Sequence, residues 1–259
     1  MKVTILGCGA SPGVPMLGCD CPVCTSGDPK NTRTRSSILV EADEGTAILV
    51  DSGPDVRQQL LRHRVLRLDA VLYTHAHADH AHGIDELRAL NFLTDGPLDA
   101  WADAETMANL QDRFAYIFAE GGPEPGGFWY RPKLIANIID GPVEIGGIRV
   151  ESFVQSHGPG RGETLGFRFG KIAYSTDAWA LDDAAFAALD GIDTWIVDCL
   201  TEMPNPAHAH LERSLEWIVR AKPRRAILTH MNHRLDYHDL SRRLPRGVEP
   251  AYDGMVVEL

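Results

Sequence analysis

The chain of 259 residues is long enough for one large domain with its own hydrophobic core, and we predict a single domain over residues 1–259. Hydrophobic residues make up 44% of the sequence and charged residues 24%, a balance that excludes intrinsically disordered and fibrous proteins. A formal net charge of -11 disfavours a broad DNA-binding or tRNA-binding surface, and the lack of a run of 18 apolar residues argues against a membrane-spanning helix.

Four strands are predicted in the first half of the chain, where short runs rich in β-branched residues alternate with turns. Their sequences are KVTILG, SSILVEA, TAILVDSG and AVLYTHAHADH. Apolar residues at helical spacing predict helices over residues 55–63, 83–92 and 104–118. The glycine- and proline-rich segment 121–133 contains three consecutive aromatic residues, and we predict a loop that either covers the surface or closes over a substrate.

The second half repeats this pattern and predicts two helices and five strands. The predicted helices are DDAAFAALD and HLERSLEWIVRAK, and the predicted strands are IRVESFVQSH, LGFRFG, KIAYSTD, TWIVD and RAILTH. Strands in two runs with helices outside them favour an α/β architecture of two packed sheets flanked by helices. The first residues, MKVTILGCGASPG, lack the basic and apolar regions of a signal peptide, so we expect a cytoplasmic protein.

A dense set of potential metal ligands follows the fourth predicted strand. The segment LYTHAHADHAH contains His75, His77, Asp79 and His80. Alternate residues at a strand end point the same way, so the first two histidines can face one ion, and a turn can bring the other two side chains to a neighbouring ion. Imidazole and carboxylate ligands together suit zinc, iron or manganese, and a water between two such ions becomes a hydroxide nucleophile near neutral pH. The segment therefore predicts a binuclear centre that activates water.

Three further ionisable residues end apolar strands and are candidate ligands. They are His157 after SFVQS, Asp177 after IAYST and His230 after AILT. One ionisable residue at a strand end is usually a solvated terminus, but three of them in a chain that also carries the cluster favour ligands. We expect Asp177 to bridge both ions, His157 to complete one ligand set and His230 to complete the other.

The segment HAHADH resembles the HxHxDH motif of the metallo-β-lactamase superfamily, and the resemblance extends over most of the chain. It implies a four-layer αβ/βα sandwich with further ligands at the positions of His157, Asp177 and His230. The segment DSG at residues 51–53 also matches the family, and it implies that Asp51 orients a ligating histidine through a hydrogen bond.

The amino-terminal cysteines indicate one branch of that superfamily. The segment GCGASPGVPMLGCDCPVCTSG is similar to the start of the PhnP phosphodiesterases, a branch near the tRNA 3′-processing endonuclease tRNase Z. The resemblance implies a structural zinc held by Cys19, Cys21, Cys24 and, in THMNH, His233, as a closed tetrahedral site. The alternative is a thiol-rich loop without metal. The remaining two cysteines lie in apolar strands and are interpreted as core residues.

Two histidines in PAHAHLE are candidates for proton transfer. The PhnP resemblance implies a histidine near the reacting phosphate, and His208 matches it best, as a group that protonates the leaving oxygen or binds the phosphoryl group. The alternative is His210, which stands where the next predicted helix begins. The predicted catalytic residues are thus Asp79 and His208, and His82 is interpreted as structural.

The predicted activity is hydrolysis of a small phosphodiester, such as a cyclic ribose phosphate or a nucleotide diester. The PhnP resemblance selects this reaction, because an activated water can attack either phosphorus or a carbonyl carbon. The predicted cofactors are two divalent ions, manganese or zinc, in the active site and one structural zinc. The alternatives are a lactonase, thioesterase or β-lactamase of the same fold, and a non-catalytic nucleotide-binding or metal-storage protein. We expect no DNA and no membrane partner, and we leave open whether the chain forms a homodimer.

Overall fold

The computed structural model describes residues 1–121 and 131–258, in which two seven-stranded mixed sheets lie at the centre. The first sheet contains β1 (Lys2–Gly7), β2 (Ser37–Glu41), β3 (Ala47–Val50), β4 (Ala70–Leu72), β5 (Leu98–Ala102), β6 (Leu134–Ile138) and β14 (Val256–Glu258). The spatial order is β14-β1-β2-β3-β4-β5-β6. Strands β3 to β6 run parallel to one another, and the remaining pairs are antiparallel.

The second sheet is built in the same mixed way. It contains β7 (Val143–Ile145), β8 (Ile148–Ser156), β9 (Glu163–Phe169), β10 (Ile172–Ser175), β11 (Thr194–Asp198), β12 (Arg225–Thr229) and β13 (Val248–Pro250). The spatial order is β13-β12-β11-β10-β9-β8-β7. Strands β10 to β13 are parallel, whereas β7 to β10 pair antiparallel.

Helices connect the strands and cover the outer faces of the sheets. The described α-helices are α1 (Val56–His63), α2 (Ala78–Ala81), α3 (Arg88–Thr94), α4 (Ala104–Arg113), α5 (Ala115–Phe118), α6 (Asp183–Ala188), α7 (Leu211–Ala221) and α8 (Tyr237–Arg243). Short 3₁₀ helices occur at Pro29–Asn31 and Ile84–Leu87. Within these described residues, no helix has both the length and the apolar character needed to cross a membrane.

Alternation of buried side chains along the strands produces four layers. In β3, Ile48 and Val50 belong to the core between the two sheets, whereas Leu49 lies in a second core with Leu60 of α1 and Leu110 of α4. The outer face of the second sheet packs against apolar residues of α6 and α7. Each large aliphatic side chain buried in this way stabilises the fold by about 1.5–3 kcal/mol. The predicted architecture of two sheets flanked by helices is therefore confirmed.

The predicted strands are longer than the observed ones at their carboxyl ends. TAILVDSG forms a strand only over Ala47–Val50, and AVLYTHAHADH only over Ala70–Leu72. The chain leaves β3 at Asp51, whose φ of 62° is incompatible with a strand. After β4, Asp79 lies on the one-turn helix α2, where only a turn was predicted.

The predicted helices differ from the observed ones mainly in continuity. The predicted helix 55–63 agrees with α1, but 83–92 divides into a 3₁₀ turn and α3, and 104–118 divides into α4 and α5. The second division falls at Phe114, whose φ of -122° and ψ of 37° are not helical. The prediction missed β5, β6, β7, β13, β14 and α8. Most of the predicted loop 121–133, including its three consecutive aromatic residues, lies outside the described residues.

Candidate metal centre

The ends of parallel strands bring the candidate ligands together. Strand β4 leads to His75 and α2, β8 to His157, β10 to Asp177 and β12 to His230. Strands β10, β11 and β12 are adjacent and parallel, and so are β3 and β4, so their carboxyl ends lie side by side within each sheet. Groups far apart in the sequence therefore meet at the carboxyl ends of the strands, where open α/β sheets commonly bind ligands.

Three residues of this centre adopt a backbone conformation that is uncommon outside glycine. The φ angles are 62° for Asp51, 52° for Asp177 and 57° for His230, and each residue lies just beyond the end of a strand. Such conformations cost on the order of 1–3 kcal/mol and persist only where surrounding contacts hold them. Backbone strain is thus concentrated where the candidate ligands turn out of the sheets.

A first group of potential ligands comprises His75, His77, His157 and Asp177, with one donor atom from each residue lying within 4.8 Å of the others. His77 Nδ1 lies 2.9 Å from His75 Nε2 and 3.3 Å from His157 Nε2. Asp177 Oδ2 lies 3.8 Å from Nε2 of both His75 and His157. Donor atoms around one tetrahedral zinc ion are about 3–4 Å apart, so this spacing suits a single ion.

A second group comprises Asp79, His80, Asp177 and His230. His80 Nε2 lies 3.4 Å from Asp79 Oδ2 and 3.1 Å from Asp177 Oδ1. His230 Nε2 lies 3.8 Å from Asp79 Oδ2 and 3.3 Å from Asp177 Oδ1. Asp177 therefore belongs to both groups, with Oδ2 in the first and Oδ1 in the second, which is the arrangement of a bridging carboxylate.

Unpaired nitrogen atoms show that the second group is suited to a cation. Nε2 of both His80 and His230 is buried and has no hydrogen-bond partner among the described residues. A buried polar atom without a partner costs about 1–3 kcal/mol, and a divalent ion bound between the two rings would satisfy both atoms. The imidazole and carboxylate donors fit zinc, manganese or iron.

The charges of the ligands are also compatible with metal binding. Burial, reinforced by the neighbouring His80, lowers the pKa of His75 well below its ordinary value, which favours the neutral imidazole that binds metals. Burial raises the pKa of Asp177, but neighbouring histidines outweigh it and hold that pKa well below its usual range. Burial likewise opposes a charge on His80, yet Asp177, Asp51 and Asp79 raise its pKa well above the ordinary value. A metal ion in the second group would replace the proton that balances these carboxylates.

The carboxylate of Asp51 contacts Nδ1 of His80, the ring nitrogen that does not face the second ligand group. Its Oδ2 lies 2.7 Å from His80 Nδ1 and accepts a hydrogen bond from Thr74 Oγ1, while Oδ1 accepts one from Thr74 N. The DSG turn approaches α2 so closely that a Cβ at Gly53 would lie 2.0 Å from the carbonyl oxygen of Asp79. Asp51 thus occupies the position that was predicted for a residue that orients a ligating imidazole.

Replacing Asp51 by Asn should lower the affinity for the second metal ion by about 10- to 100-fold, because His80 would lose the carboxylate that fixes its ring. A chelator competition titration measures this change. The matched control is Asp69→Asn, which alters a carboxylate bonded to Ala47 N at the opposite end of β3 and β4. Equal metal affinity in the Asp51 variant and the wild-type protein would contradict the orienting role.

His208 lies beside this centre among acidic neighbours. Its Nδ1 is 3.8 Å from Asp177 Oδ2 and 3.5 Å from Asp198 Oδ2. Its ring stacks on that of His230 at a centroid distance of 4.7 Å. Burial lowers the pKa of His208, but Asp198 and Asp177 outweigh burial and raise the pKa to about 9. The two carboxylates therefore favour the protonated imidazole of His208 next to the candidate ligands.

The two other histidines considered from the sequence lie outside the centre. His210 occupies the N-cap position of α7 without a capping hydrogen bond from its side chain. Among the described residues, it belongs to none of the ligand groups. His82 is exposed and packs edge-on against Phe114 at a centroid distance of 5.5 Å. The geometry favours His208 over His210 for proton transfer and agrees with a structural role for His82.

The three amino-terminal cysteines come together, with His233 beside them. The Sγ atoms of Cys19, Cys21 and Cys24 all lie within 4.8 Å of one another. A hydrogen bond from Cys24 N to Cys21 Sγ, at 3.4 Å, is the main cause of a lowered pKa at Cys21. His233 contacts Cys21 Sγ through its backbone oxygen at 3.6 Å, and its buried Nδ1 has no partner in the described part of the chain. The thiols form a zinc-compatible set that the backbone of His233 contacts, whereas its imidazole is not part of the set.

Two residues at the centre were missed from the sequence. Asp198 ends β11, between the strands that lead to Asp177 and His230, and its Oδ1 lies 3.6 Å from His230 Nδ1. An acidic residue that ends an apolar strand was the signal that identified other ligands, so Asp198 could have been found in the same way. Ser11 follows β1 in a glycine-rich turn and donates a hydrogen bond of 2.6 Å to Asp79 Oδ2. No local sequence signal distinguishes this serine.

A family model and two known proteins match the part of the chain that carries the ligand groups. A family model described as a β-lactamase superfamily domain matches residues 46–231, which include every candidate ligand of the two groups. The chain is 33% identical to a Porphyromonas gingivalis protein named octanoyltransferase, over 98% of the chain and 51% of that protein. The chain thus spans about half the length of this relative. It is 28% identical to coenzyme PQQ synthesis protein B of Cupriavidus necator, over 100% of the chain and 99% of that protein.

A solved structure is similar over the whole fold. A diphosphatase from the PhnP family superposes with a TM-score of 0.90 and 35% sequence identity. The alignment covers 100% of this chain and 97% of that chain. The similarity therefore includes the strand ends that carry the ligand groups and the amino-terminal segment that carries the cysteines.

Proposed function

Because the chain belongs to the metallo-β-lactamase superfamily and, within it, to the PhnP family, we propose that it is a binuclear metal-dependent phosphodiesterase for small phosphate diesters. Nucleotide diesters and cyclic ribose phosphates are the proposed substrate class. The PhnP-family relative is named a diphosphatase, which supports phosphorus rather than a carbonyl carbon as the atom attacked.

The observation that supports this proposal most strongly is the shared position of Asp177. Its two oxygens belong to two adjacent groups of donors, each with three further ligands. The proposed ligands of the first ion are His75, His77, His157 and Asp177, and those of the second are Asp79, His80, Asp177 and His230. Manganese and zinc both suit this mixture of imidazole and carboxylate.

In the proposed reaction, the metal ions and the side chains of the protein have different roles. Two divalent ions in these groups would supply Lewis acidity and lower the pKa of a bound water. Asp177 holds the two ligand groups together, and Asp51 fixes the ring of His80. Asp198 lies against both His208 and His230, and we assign to His208 the donation of a proton to the leaving oxygen.

A substrate panel tests the proposal. Purified protein loaded with manganese or zinc is assayed against bis(p-nitrophenyl) phosphate and 2′,3′-cyclic nucleotides, alongside a lactone, a thioester and a β-lactam. We expect turnover of at least one phosphodiester and loss of that activity when a chelator removes the metal. Rapid cleavage of the carbonyl compounds with both phosphodiesters intact would contradict the proposal. Nucleotide binding without turnover of any compound would favour the non-catalytic alternative.

We also propose a structural zinc at Cys19, Cys21 and Cys24, with His233 as the fourth ligand. The cysteine loop and the segment that carries His233 are already in contact. The buried Arg33 donates hydrogen bonds to Asn232 O at 3.0 Å and to Leu235 O at 2.6 Å. The contact of 3.6 Å between Cys21 Sγ and the backbone oxygen of His233 places this residue next to the thiols, and its buried Nδ1, which has no partner among the described residues, is the proposed fourth donor.

Replacing Cys21 by Ser should remove one equivalent of zinc and lower the melting temperature by about 5–10 °C, because a structural zinc site contributes directly to folding stability. Elemental analysis and calorimetry measure the two effects. The control is Cys199→Ala, which changes a buried core cysteine and should leave the zinc content unaltered. An unchanged zinc content in the Cys21 variant would exclude the proposed site.

A further inference from the structure

Two cavities lie on opposite flanks of the metal centre. One, of about 220 Å³, is lined by His75, His77 and Arg113 together with three acidic residues, Asp103, Glu105 and Glu163. The other, of about 360 Å³, is lined by His208 and His230 together with Asn205, Asn232 and Ser11. Each cavity thus includes candidate residues of the centre, and one side chain, Arg161, contributes to the lining of both.

The loop that carries Arg161 is attached to the centre at two points. Its first residue is the proposed ligand His157, whose backbone N donates to Gly162 O at 3.1 Å, and Arg161 N donates to Gly158 O at 3.0 Å. Gly158 has a φ of 118°, and a Cβ there would lie 2.2 Å from Pro206 O. The loop therefore packs tightly against the segment that precedes His208, which keeps Arg161 at the boundary between the cavities.

The guanidinium of Arg161 is available for a ligand. It forms no ion pair or hydrogen bond with any residue in the described ranges, and Arg161 is exposed. Arg113, in the first cavity, instead donates a hydrogen bond to Ala76 O at 2.5 Å. An unpaired guanidinium prefers planar or tetrahedral oxyanions, which it binds through two parallel hydrogen bonds.

We propose that Arg161 binds the second phosphate of a diphosphate-bridged substrate whose first phosphate lies at the metal centre. This inference rests on the proposed phosphodiesterase function. A diphosphate bridge has one negative charge on each phosphate; the centre neutralises the first, and Arg161 neutralises the second. The two cavities then receive the organic groups at the two ends of the bridge, so the substrate class is a diester of diphosphate, such as a nucleoside diphosphate linked to a second alcohol.

The reaction on such a substrate is a hydrolysis and needs only water. The hydroxyl part of water adds to one phosphorus, and the bond from that phosphorus to the bridging oxygen breaks. The proton of that water ends on the former bridging oxygen, so two phosphate monoesters form. Arg161 contacts only the phosphate that leaves, and it is therefore a specificity-determining residue.

The test compares two substrates that differ by one phosphate. Wild-type protein and Arg161→Ala, loaded with the same metal, are assayed with diadenosine 5′,5′-diphosphate and with diadenosine 5′,5′-monophosphate, a monophosphate diester. We expect the substitution to lower kcat/KM for the diphosphate by about 10- to 100-fold and to change kcat/KM for the monophosphate diester by less than about threefold. Arg161→Lys should restore part of the loss, because lysine retains the charge but not the paired hydrogen bonds.

Ligand binding gives a second readout that does not depend on turnover. Calorimetric titration of the metal-loaded protein should show tighter binding of ADP than of AMP, and Arg161→Ala should abolish the difference. Arg246→Ala is the matched control, since Arg246 is exposed and lines neither cavity. It should behave like the wild-type protein in both experiments.

The outcomes separate this inference from the proposed function. If the wild-type protein cleaves phosphodiesters but Arg161→Ala affects both substrates equally or neither, the inference is wrong and the proposed function stands. An equal affinity for ADP and AMP in the wild-type protein would overturn the inference in the same way. If the wild-type protein cleaves neither substrate and binds neither nucleotide, the proposed function fails together with the inference.

Discussion

Replacement of Asp177 by Asn is expected to remove bound metal from both ligand groups and to lower kcat by at least about 10³-fold. Asp177 is the residue that the two groups share, with Oδ2 facing the first and Oδ1 facing the second. An amide has one oxygen and no negative charge, so it cannot bridge two cations as a carboxylate does. Elemental analysis of the purified variant and steady-state kinetics with a phosphodiester measure the two effects.

Two further variants test whether the effect of Asp177→Asn comes from the loss of a carboxylate that bridges the two ions. His157→Ala removes a ligand from the first group only, so it should lose one ion and retain the other. Asp193→Asn changes a half-buried carboxylate that is paired with Arg224 and precedes β11, at the end of that strand opposite Asp198, and it should leave both metal content and kcat unchanged. Retention of two ions at the wild-type rate in Asp177→Asn would contradict a shared carboxylate.

Replacement of His208 by Ala is expected to lower kcat by about 10²- to 10⁴-fold while the metal content stays constant. The residue lies against Asp177 and Asp198 at 3.8 and 3.5 Å and belongs to neither of the two groups that share Asp177, although its donor atom lies within 4.8 Å of those of Asp198 and His230 as a third set of potential ligands. A group that protonates the leaving oxygen matters most when that oxygen is strongly basic. The loss should therefore be large with an alkyl leaving group and small with p-nitrophenolate.

His210→Ala is the matched control for this prediction, because the sequence left the choice between the two histidines open. His210 begins α7, and its side chain makes no capping hydrogen bond, so the variant should retain nearly full activity. A large loss in His210→Ala combined with normal turnover in His208→Ala would reverse the assignment. A loss of metal in His208→Ala would indicate a ligand instead of a proton donor.

The fold was predictable from the sequence where strands are long and apolar. The runs that became β1, β2, β8 and β12 are rich in β-branched residues; β1, β2 and β12 are almost wholly buried, and buried side chains recur along β8. Strand β5 was missed because LDAWA is short and includes the acidic Asp99. The break at Phe114 depends on tertiary packing, since the sequence pattern of helical residues continues through it.

The candidate centre was predictable because its ligands share one sequence feature, which is their position just after an apolar strand. Parallel strands end at a common edge, so an ionisable residue after each of several apolar strands can meet the others, as Asp177 and His230 do. The grouping of His157 with the first set and His230 with the second agrees with the expectation from the sequence. The ligand roles themselves stay predictions that the metal counts above test.

Other features of the centre depend on contacts that have no local signal. Ser11 lies 68 residues before Asp79 in the sequence, yet its hydroxyl donates a hydrogen bond to the Asp79 carboxylate. Arg161 gains its significance from its position between two cavities, which only the assembled fold reveals. His233 was assigned to the cysteine site by resemblance, and the structure brings its backbone, not its ring, into contact with Cys21.

In the proposed reaction, the two paired ligand groups of this chain direct water onto phosphorus. Hydrolysis of a phosphodiester in water enriched in the heavy oxygen isotope, followed by mass spectrometry of the products, tests that claim most directly. We predict one labelled oxygen on the phosphorus-bearing product, and no product in Asp177→Asn or after removal of the metal. Label found only on the alcohol product, or turnover that survives both treatments, would contradict the account.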